Sequence, residues 1–288
     1  MKKSKGLSLL IILGIYILAG VCGYFTYIYL PLEFYFRLLF ADIVGTVVVF
    51  IFSLLLKNAS CYDAYWSVLP MVVVLFYMFT KELNVVRLLA SIAVLGWGLR
   101  LTLNWIYTFD NLSWEDWRYR MLREKTRGFY PIINFLGIHL FPTIVVYLCI
   151  LPIAFLFHKD VSINAGVIVF FSFAILSFSM QGLADLEMHK FRKNRNSVFI
   201  RNGLWKYSRH PNYLGEILMW WNIAALCIFA LGGYLWLMIG ALVNTLMFIF
   251  VSIPLAENHQ RERKEGFDEY KMETRMLLPI YKRSKKES

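Results

Sequence analysis

Long apolar runs alternate with short polar segments along this chain of 288 residues. A helix needs about 20 consecutive apolar residues to cross the hydrocarbon core of a bilayer. Eight runs come close to that length, and all are separated by polar or turn-forming residues. They lie at roughly Leu7–Leu30, Arg37–Leu56, Tyr65–Thr80, Val85–Phe109, Ile132–Phe157, Val161–Gly182, Tyr213–Leu231 and Tyr234–Ala256. The pattern predicts an all-α fold, a polytopic bundle of about eight transmembrane helices.

The composition leads to the same class of protein. Hydrophobic residues make up 59% of the chain and charged residues only 17%, whereas soluble domains carry about 25% charged residues. We therefore expect a multi-pass integral membrane protein, in the cytoplasmic membrane of a bacterium or the endoplasmic reticulum of a eukaryote. The basic start MKKSK precedes a long apolar run without a small-residue cleavage pattern, so it predicts a retained first helix and not a signal peptide.

The chain has a net charge of +11, and its basic residues are distributed as a membrane topology predicts. With a cytoplasmic N-terminus, 25 of the 30 Lys and Arg residues fall in inside segments and only four in outside segments, as the positive-inside rule requires. The inside segments are 1–6, 57–64, 110–131, 183–212 and 257–288. Both termini are therefore predicted to be cytoplasmic. Affinity for anionic membrane lipids is a secondary expectation, and no nucleic-acid partner is expected.

The inside loop 110–131 carries the pattern of an amphipathic surface helix. Ser113 stands three residues before Asp116, which predicts a capped helix start at Ser113. Acidic residues come first and arginines follow, as the helix dipole favours. Tryptophan and tyrosine side chains in the same loop suit the membrane interface.

Two polar positions stand out in the first half of the chain. Asp63 lies at a membrane boundary, where it can cap a helix or act as a proton donor or orienting acid facing a pocket. Arg100 lies deep in the fourth span, one helical turn from Asn104. An intramembrane arginine costs about 2.5–3.5 kcal/mol and usually faces the bundle interior. Arg100 is thus a candidate for a structural salt bridge or for contact with an anionic ligand or functional acid.

The sixth span ends in a stripe of polar side chains. Gln181, Asp185, His189 and Arg192 follow helical spacing and share one face. The acid can orient a hydroxyl or amide group, and the arginine can hold a phosphate. A solvated boundary pair of Asp185 and Arg192 is the alternative.

A denser polar cluster occupies Arg201–Trp221, directly before and inside the start of the seventh span. Pro211 suits the first turn of a helix, whose N-terminus would form an anion site beside Arg209 and His210. Asn212 and Glu216 are one turn apart, and a buried carboxylate needs a partner. This stretch therefore predicts a ligand site. In the charged tail, His259 shares a helix face with Arg263 and could close over a cytoplasmic pocket.

Known soluble cofactor motifs are missing from the sequence. It contains no G-x-G-x-x-G, Walker or G-x-S-x-G motif. The histidines form no HxxxH pair, and the four cysteines form no CxxC, so no metal site is predicted. Any cofactor must be bound by the helical bundle and its inside loops.

Several short motifs occur in a fixed order over most of the chain. They are Asp63-x-x-Trp66, Leu95-x-Trp97-x-Leu99-Arg100-Leu101, Glu115-Asp116-Trp117-Arg118-Tyr119, Ala184-Asp185-Leu186-x4-Phe191, Gly203 to Glu216 (GLWKYSRHPNYLGE) and Tyr270-x3-Thr274-x4-Pro279. Each piece alone is unspecific, but the whole set in this order is strong evidence of a family resemblance. On these motifs the sequence resembles the steroid 5α-reductase-like membrane proteins, in particular their bacterial-type branch, with distant kinship to the isoprenylcysteine carboxyl methyltransferases.

The resemblance implies a helical bundle that holds NADPH on its cytoplasmic side. It implies reduction of a carbon–carbon double bond conjugated to a carbonyl in a steroid-like or other lipid, as in a 3-oxo-5α-steroid 4-dehydrogenase. It divides the single membrane domain into a four-span part (1–109) with the substrate pocket, the amphipathic loop (110–131) and a cofactor-binding part (132–288). The residues that match the family's cofactor contacts are Asp185, Arg192, Asn212, Glu216 and His259. Arg209, His210 and Tyr213, which stand beside them in the predicted ligand site, complete the predicted cofactor-binding set.

The proton-donating residues depart from the family pattern. Steroid reductases use a glutamate and a tyrosine in their early helices, and neither has an evident counterpart here. Asp63 with Tyr65, or Arg100 with a neighbouring aromatic residue, are the candidate catalytic replacements. The expected partners are a lipid-soluble small-molecule substrate and membrane lipids, and no obligate protein partner is inferred.

Two other functions compete with this interpretation. A methyltransferase that uses S-adenosylmethionine on lipid or isoprenylcysteine substrates shares the R-H-P-x-Y element and the Y-x3-T-x4-P tail. The EDWRY loop and the helix Ala184–Phe191 favour the reductase. A non-catalytic lipid-binding or lipid-transport protein on a reductase scaffold is the second alternative.

Overall fold

The structure, a computed structural model that describes residues 4–194 and 197–278, is built from helices. Helix makes up 82% of it, and no strand occurs in the described ranges. The twelve α-helices in these ranges are α1 (Lys5–Tyr29), α2 (Phe34–Leu55), α3 (Tyr65–Thr80), α4 (Val85–Thr108), α5 (Trp117–Thr126), α6 (Tyr130–Ile133), α7 (Phe141–His158), α8 (Ala165–Lys193), α9 (Pro211–Leu231), α10 (Ile239–Met247), α11 (Ile253–Arg263) and α12 (Phe267–Glu273). Among the described residues, eight helical segments are long and apolar enough to cross a membrane, which confirms the predicted all-α, multi-span fold.

The helix bounds differ from the predicted spans mainly at the ends. α3 coincides with the predicted third span. The fifth segment begins earlier than predicted, because a 3-10 turn at Arg127–Phe129, α6 and a π-helical turn at Asn134–Leu140 connect α5 to α7. Arg127, with a φ of 44°, ends α5 and separates it from the helical backbone that follows. α8 continues eleven residues beyond the predicted span end at Gly182 and so carries the whole polar stripe.

Short polar side chains begin several of the helices. Ser4, Asn84 and Asn164 each accept a hydrogen bond from a backbone N–H three residues later. Such caps satisfy donors that the first helical turn leaves without an intrahelical partner. Pro211 occupies the first turn of α9, as predicted, because a proline there loses no helical hydrogen bond.

The helix predicted at Ser113 begins later. α5 starts at Trp117, and Asp116 caps it by accepting a hydrogen bond from the N–H of Arg118. The segment before it is held in place by Asn58, whose side-chain amide donates to the carbonyls of Leu112 and Trp114 at 2.9 and 2.8 Å. The Ser113 prediction was therefore wrong, because these contacts with the α2–α3 turn determine the backbone before α5.

The chain forms two compact units, unit 1 up to Val161 and unit 2 from Ser162. In unit 1, buried apolar residues of α1, α2, α3 and the loop after α4 form one core. The backbone of α2 comes so close to α3 at Gly45 that a Cβ atom there would collide with the Tyr65 hydroxyl. Gly45 thus lets the Tyr65 side chain lie against α2.

In unit 2, α8 and α9 pack side by side. Gly215 of α9 faces the backbone of Ser177 and the side chain of Gln181, with no room for a larger residue. Trp205, in the loop between the two helices, donates from its indole nitrogen to the Ala184 carbonyl at 2.9 Å. The charged tail forms α11 and α12, with Gly266 at a φ of 78° between them. The last predicted motif residue, Pro279, lies outside the described residues.

Candidate functional site

Unit 1 contains an acid and a tyrosine buried together within its membrane-spanning helices. Asp42 on α2 is 2% exposed and Tyr65 on α3 is 5% exposed. The Tyr65 hydroxyl lies 3.5 Å from Oδ1 of Asp42 and donates to it. The second carboxylate oxygen, Oδ2, is buried and has no hydrogen-bond partner in the part of the chain that the structure describes. A buried polar atom without a partner is costly, so this oxygen marks a place where a polar ligand group would be stabilised.

Hydroxyl groups extend this cluster into the interior of unit 1. Oγ1 of Thr46, one turn after Asp42, lies 2.7 Å from Oγ1 of Thr143, and the Tyr62 hydroxyl lies 2.8 Å from the same Thr143 atom. The ring of Tyr62 is also 4.7 Å from that of His139. Three helices and the α2–α3 turn thus bring polar side chains to one place among apolar neighbours.

Asp63 and Tyr65, the candidate catalytic residues of this region, form hydrogen bonds with different partners. Asp63 accepts a hydrogen bond of 2.5 Å from the Tyr119 hydroxyl, and Tyr65 turns to Asp42 instead. Asp42 was not predicted as a site residue, although a lone acid within an apolar run is a signal of function. Arg100 and Asn104 lie one turn apart on α4, as predicted, and both are partly buried.

Unit 2 contains a buried ion cluster centred on Glu257. Oε1 of Glu257 accepts from Nε and Nη2 of Arg209 at 2.9 and 2.8 Å, and it lies 3.1 Å from Nε2 of His210. Oε2 forms a 3.1 Å ion pair with Lys271. The Arg209 and Glu257 side chains are only 6% and 7% exposed. Glu257 was not predicted as a site residue, because its partners lie far away in the chain.

Most hydrogen-bond donors of Arg209 are engaged by other groups inside unit 2. Besides the two bonds to Glu257, its Nη1 donates to the carbonyls of Lys271 and Thr274, and its backbone N–H donates to Arg275 at 2.8 Å. These bonds fasten the tail after α12 to the loop before α9. Arg209 was predicted to contact a cofactor. In the structure its side chain holds the tail against the loop before α9.

His210 belongs to the same cluster, through the contact of its Nε2 atom with Oε1 of Glu257. Burial lowers the pKa of His210, and this effect outweighs the hydrogen bond to Glu257, which acts in the opposite direction. Its ring stacks on that of Tyr213, with centroids 5.2 Å apart, and Tyr213 in turn contacts the ring of Phe248 at 4.9 Å.

Glu216 also lies within unit 2, on the face of α9 that meets α8. Its Oε2 accepts from the Gln181 amide at 2.9 Å and its Oε1 from the Trp220 indole at 2.8 Å. Asn212 is one turn earlier and partly exposed, and its side-chain oxygen accepts from the N–H of Tyr213. The predicted pair therefore shares a helix but differs in burial: Glu216 links α8 to α9, whereas the Asn212 amide nitrogen makes no hydrogen bond to another described residue.

The stripe on α8 passes from the interior to the surface. Gln181 is buried, Asp185 and His189 are partly buried, and Arg192 is exposed. The guanidinium group of Arg192 makes no hydrogen bond or ion pair with another described residue. His259 is partly buried on α11, two residues after Glu257. Among the predicted site residues of unit 2, Arg209, His210 and Glu216 are therefore buried. Arg192 and Asn212 have polar groups that face outward.

A small cavity of about 40 Å³ lies beside the ion cluster of unit 2. Arg209 and His210 line it together with aromatic residues that include Phe199, Trp205 and Tyr270. The Phe199 and Tyr270 rings are stacked, with centroids 4.6 Å apart. Burial raises the pKa of Tyr270 to about 12. The cavity is too small for a dinucleotide, so a large cofactor would need the outward-facing residues.

Comparison with known proteins gives a family and a distant relative. Residues 49–274 match the family described as "Protein of unknown function (DUF1295)". The "Uncharacterized protein C594.04c" of Schizosaccharomyces pombe (strain 972) is 26% identical over 196 residues, which cover 57% of this chain and 56% of that protein. The chain therefore spans about half the length of the curated relative that it matches, and no solved structure matches it significantly. Because the family match covers most of its length, the chain belongs to the DUF1295 family, which includes steroid 5α-reductase-like proteins.

Proposed function

We propose that this protein is a membrane-embedded oxidoreductase that uses NADPH to reduce the conjugated carbon–carbon double bond of a steroid-like or other lipid enone. The observation that carries the proposal is the buried pair of Asp42 and Tyr65. The steroid reductases that the sequence resembles use an acid and a tyrosine in their early helices. Here an aspartate on α2 and a tyrosine at the start of α3 have the same chemistry.

The pair suits the chemistry of an enone. Reduction adds one hydride and one proton across the double bond, and negative charge develops on the carbonyl oxygen during hydride addition. A donor held next to that oxygen stabilises this charge, and a positioned general acid typically contributes about 10²–10⁴-fold in rate. The Tyr65 phenol, which lies beside the Asp42 carboxyl group, is such a donor. Their apolar surroundings exclude water, which strengthens hydrogen bonds to a bound carbonyl.

The polar groups of unit 2 fit a cofactor that carries phosphates. NADPH, when bound, supplies the hydride. The exposed guanidinium of Arg192 at the end of α8 is suited to a phosphate, and Lys190 and Lys193 are exposed on the same turn. Asn212 offers an amide group to a ribose or amide of the cofactor. Arg209, His210 and Glu216 would support these residues from inside unit 2.

Cofactor-dependent stabilisation tests this proposal. We expect NADPH to raise the melting temperature of the purified protein in detergent, because a ligand at 100 times its Kd adds about 2.7 kcal/mol of stability. Arg192→Ala and Asn212→Ala should weaken this effect without changing the melting temperature of the free protein. Arg120→Ala, which removes an exposed cation from α5 in unit 1, is the matched control.

The same measurement separates the competing functions. Stabilisation by S-adenosylmethionine and not by NADPH would contradict the reductase function and favour the methyltransferase function. If neither compound stabilises the protein, the lipid-binding alternative gains. Unchanged NADPH binding in both the Arg192 and Asn212 variants would remove these two residues from the cofactor site.

A further inference from the structure

A second cavity, of about 380 Å³, lies at one end of the helices of unit 1. This volume is in the range of small-molecule sites, about 300–1,000 Å³. The cavity is formed where α1 joins α2 and where α3 and α7 end, and the positive-inside pattern puts that end on the outer side of the membrane. None of its lining residues belongs to the Asp42–Tyr65 cluster. They are Tyr27, Leu32, Glu33, Phe34, Arg37, Phe76, Thr80, Lys81 and His158.

Two cationic side chains line this cavity, and each has N–H donors that form no hydrogen bond with the described residues. Nε of Arg37 donates to the Leu32 carbonyl at 2.5 Å, which fixes the guanidinium, and its two terminal nitrogens make no hydrogen bond to other described residues. Lys81 likewise has no ion pair or hydrogen bond from its ammonium group within the described ranges. The Glu33 carboxylate lines the same cavity but pairs with neither cation. The charged groups of the cavity therefore leave it with a net positive charge.

The remaining wall is aromatic and held by its own contacts. The ring of Phe34 stacks on that of His158, with centroids 4.1 Å apart and planes 6° apart. Tyr27 contacts Phe76 edge-on at 5.3 Å, and its hydroxyl lies 3.5 Å from Nε2 of His158. The Nδ1 atom of His158 bonds to the Ala154 carbonyl at 2.8 Å. Such mutual packing keeps the cavity open, so little ordering is needed when a ligand binds.

We propose that this cavity binds the phosphate headgroup of an anionic glycerophospholipid of the outer leaflet. The cavity lies at the helix ends, where lipid headgroups meet the protein. Apolar side chains beside it face outward, with Tyr29 76% and Phe79 87% exposed, as expected at a lipid-contacting surface. Arg37 and Lys81 would contact the phosphate, while the aromatic wall receives the glycerol and the start of the acyl chains. The assignment is independent of the reductase activity.

The test is a lipid titration of the full chain, purified in a neutral detergent and followed by native mass spectrometry. The probes are dioleoylphosphatidylglycerol, dioleoylphosphatidylcholine and inorganic phosphate. We expect tight retention of phosphatidylglycerol and weaker retention of phosphatidylcholine. Arg37→Gln and Lys81→Gln should each weaken phosphatidylglycerol binding about fivefold, the usual contribution of one cation near an anionic lipid.

Lys159→Gln is the matched control, because Lys159 is an exposed cation at the same end of unit 1 that does not line the cavity. Its phosphatidylglycerol affinity should equal that of the unmodified protein. Lys81→Gln removes no hydrogen bond among the described residues, so its melting temperature without lipid should be unchanged. Equal phosphatidylglycerol binding by both cavity variants, or equal binding of the two lipids, would overturn the proposal. Competition by inorganic phosphate alone at similar concentration would identify a free-anion site and overturn the lipid assignment.

Discussion

Arg209 and Glu257 form a two-bond ion pair inside unit 2, with Nε and Nη2 of the arginine at 2.9 and 2.8 Å from one carboxylate oxygen. The pair joins the loop before α9 to the start of the charged tail. Around it, Ser208 forms an isolated parallel bridge with Arg275, and its hydroxyl donates to the Met276 carbonyl at 3.2 Å. The buried ion pair and these hydrogen bonds together hold the tail against the loop before α9.

Removal of this carboxylate should destabilise the protein strongly. Glu257→Ala leaves the Arg209 guanidinium buried without a counter-charge, and breaking a buried ion pair costs about 3–5 kcal/mol. Glu262→Ala, which changes an exposed acid on the same helix, should alter the free energy of unfolding by less than about 0.5 kcal/mol. Thermal unfolding in detergent measures both. A Glu257 variant as stable as the Glu262 control would show that the ion cluster does not hold the tail.

The stability of unit 2 should also decrease in mild acid. His210 faces Glu257, Arg209 and, across the carboxylate, Lys271, and burial lowers its pKa below the ordinary value of about 6.5. At pH values between the ordinary pKa and the lowered pKa, the unfolded chain binds a proton at this histidine that the folded chain does not. The free energy of unfolding therefore falls as the pH falls, by at most about 1.4 kcal/mol per pH unit from this residue.

The variant His210→Gln isolates this contribution. Glutamine can still donate a hydrogen bond to Glu257 but does not titrate. Melting temperatures measured between about pH 7 and about pH 5 should fall less steeply in the variant than in the unmodified protein. Identical slopes would mean that other groups cause the acid sensitivity.

The helices and the α8 stripe could be predicted from the sequence because each depends on a local pattern. Bilayer-length apolar runs identify spans, and the spacing of Asp185, His189 and Arg192 follows from the turn of a single helix. The pairing of Asp42 with Tyr65 depends on which faces of two helices meet. A single acid changes the composition of a 22-residue helix very little, so its function became visible only through its contact.

The same distinction explains why Glu257 was missed and why Arg209 was assigned differently. A basic residue next to a helix N-terminus indicates an anion site, and the sequence does not reveal that the anion is a carboxylate 48 residues later. Glu216 shows the converse: its intramembrane position correctly required partners, which turned out to be Gln181 and Trp220.

Gly203 should tolerate alanine less well than Gly232. Both have positive φ angles, of 56° and 67°, where a side chain costs about 1–2 kcal/mol. At Gly232 the added Cβ meets open space, whereas at Gly203 it collides with the carboxylate of Glu187. That carboxylate accepts from the N–H of Leu204 at 3.0 Å, so Gly203→Ala should lose a further ~1 kcal/mol with this bond. Equal melting temperatures of the two variants would contradict this prediction.

Substitution of Tyr65 and Asp42 tests the proposed proton donors. Tyr65→Phe removes only the hydroxyl that contacts Asp42, and Asp42→Asn removes the acid while keeping its size. With NADPH and a 3-oxo-4-ene steroid as probe, each variant should lower kcat by about 10²–10⁴-fold, the usual contribution of a general acid. NADPH binding, measured by thermal stabilisation, should be unchanged, because the cofactor contacts are assigned to unit 2.

Tyr77→Phe is the matched control for this experiment. Tyr77 is a fully buried tyrosine on the same helix as Tyr65, so its substitution also removes one buried hydroxyl. It does not belong to the Asp42 cluster, and kcat should stay within about twofold of the unmodified value, since only the acid–tyrosine pair stabilises charge on the carbonyl oxygen. If Tyr65→Phe and Tyr77→Phe reduce kcat equally, the loss reflects packing, and the Asp42–Tyr65 pair is not the proton donor.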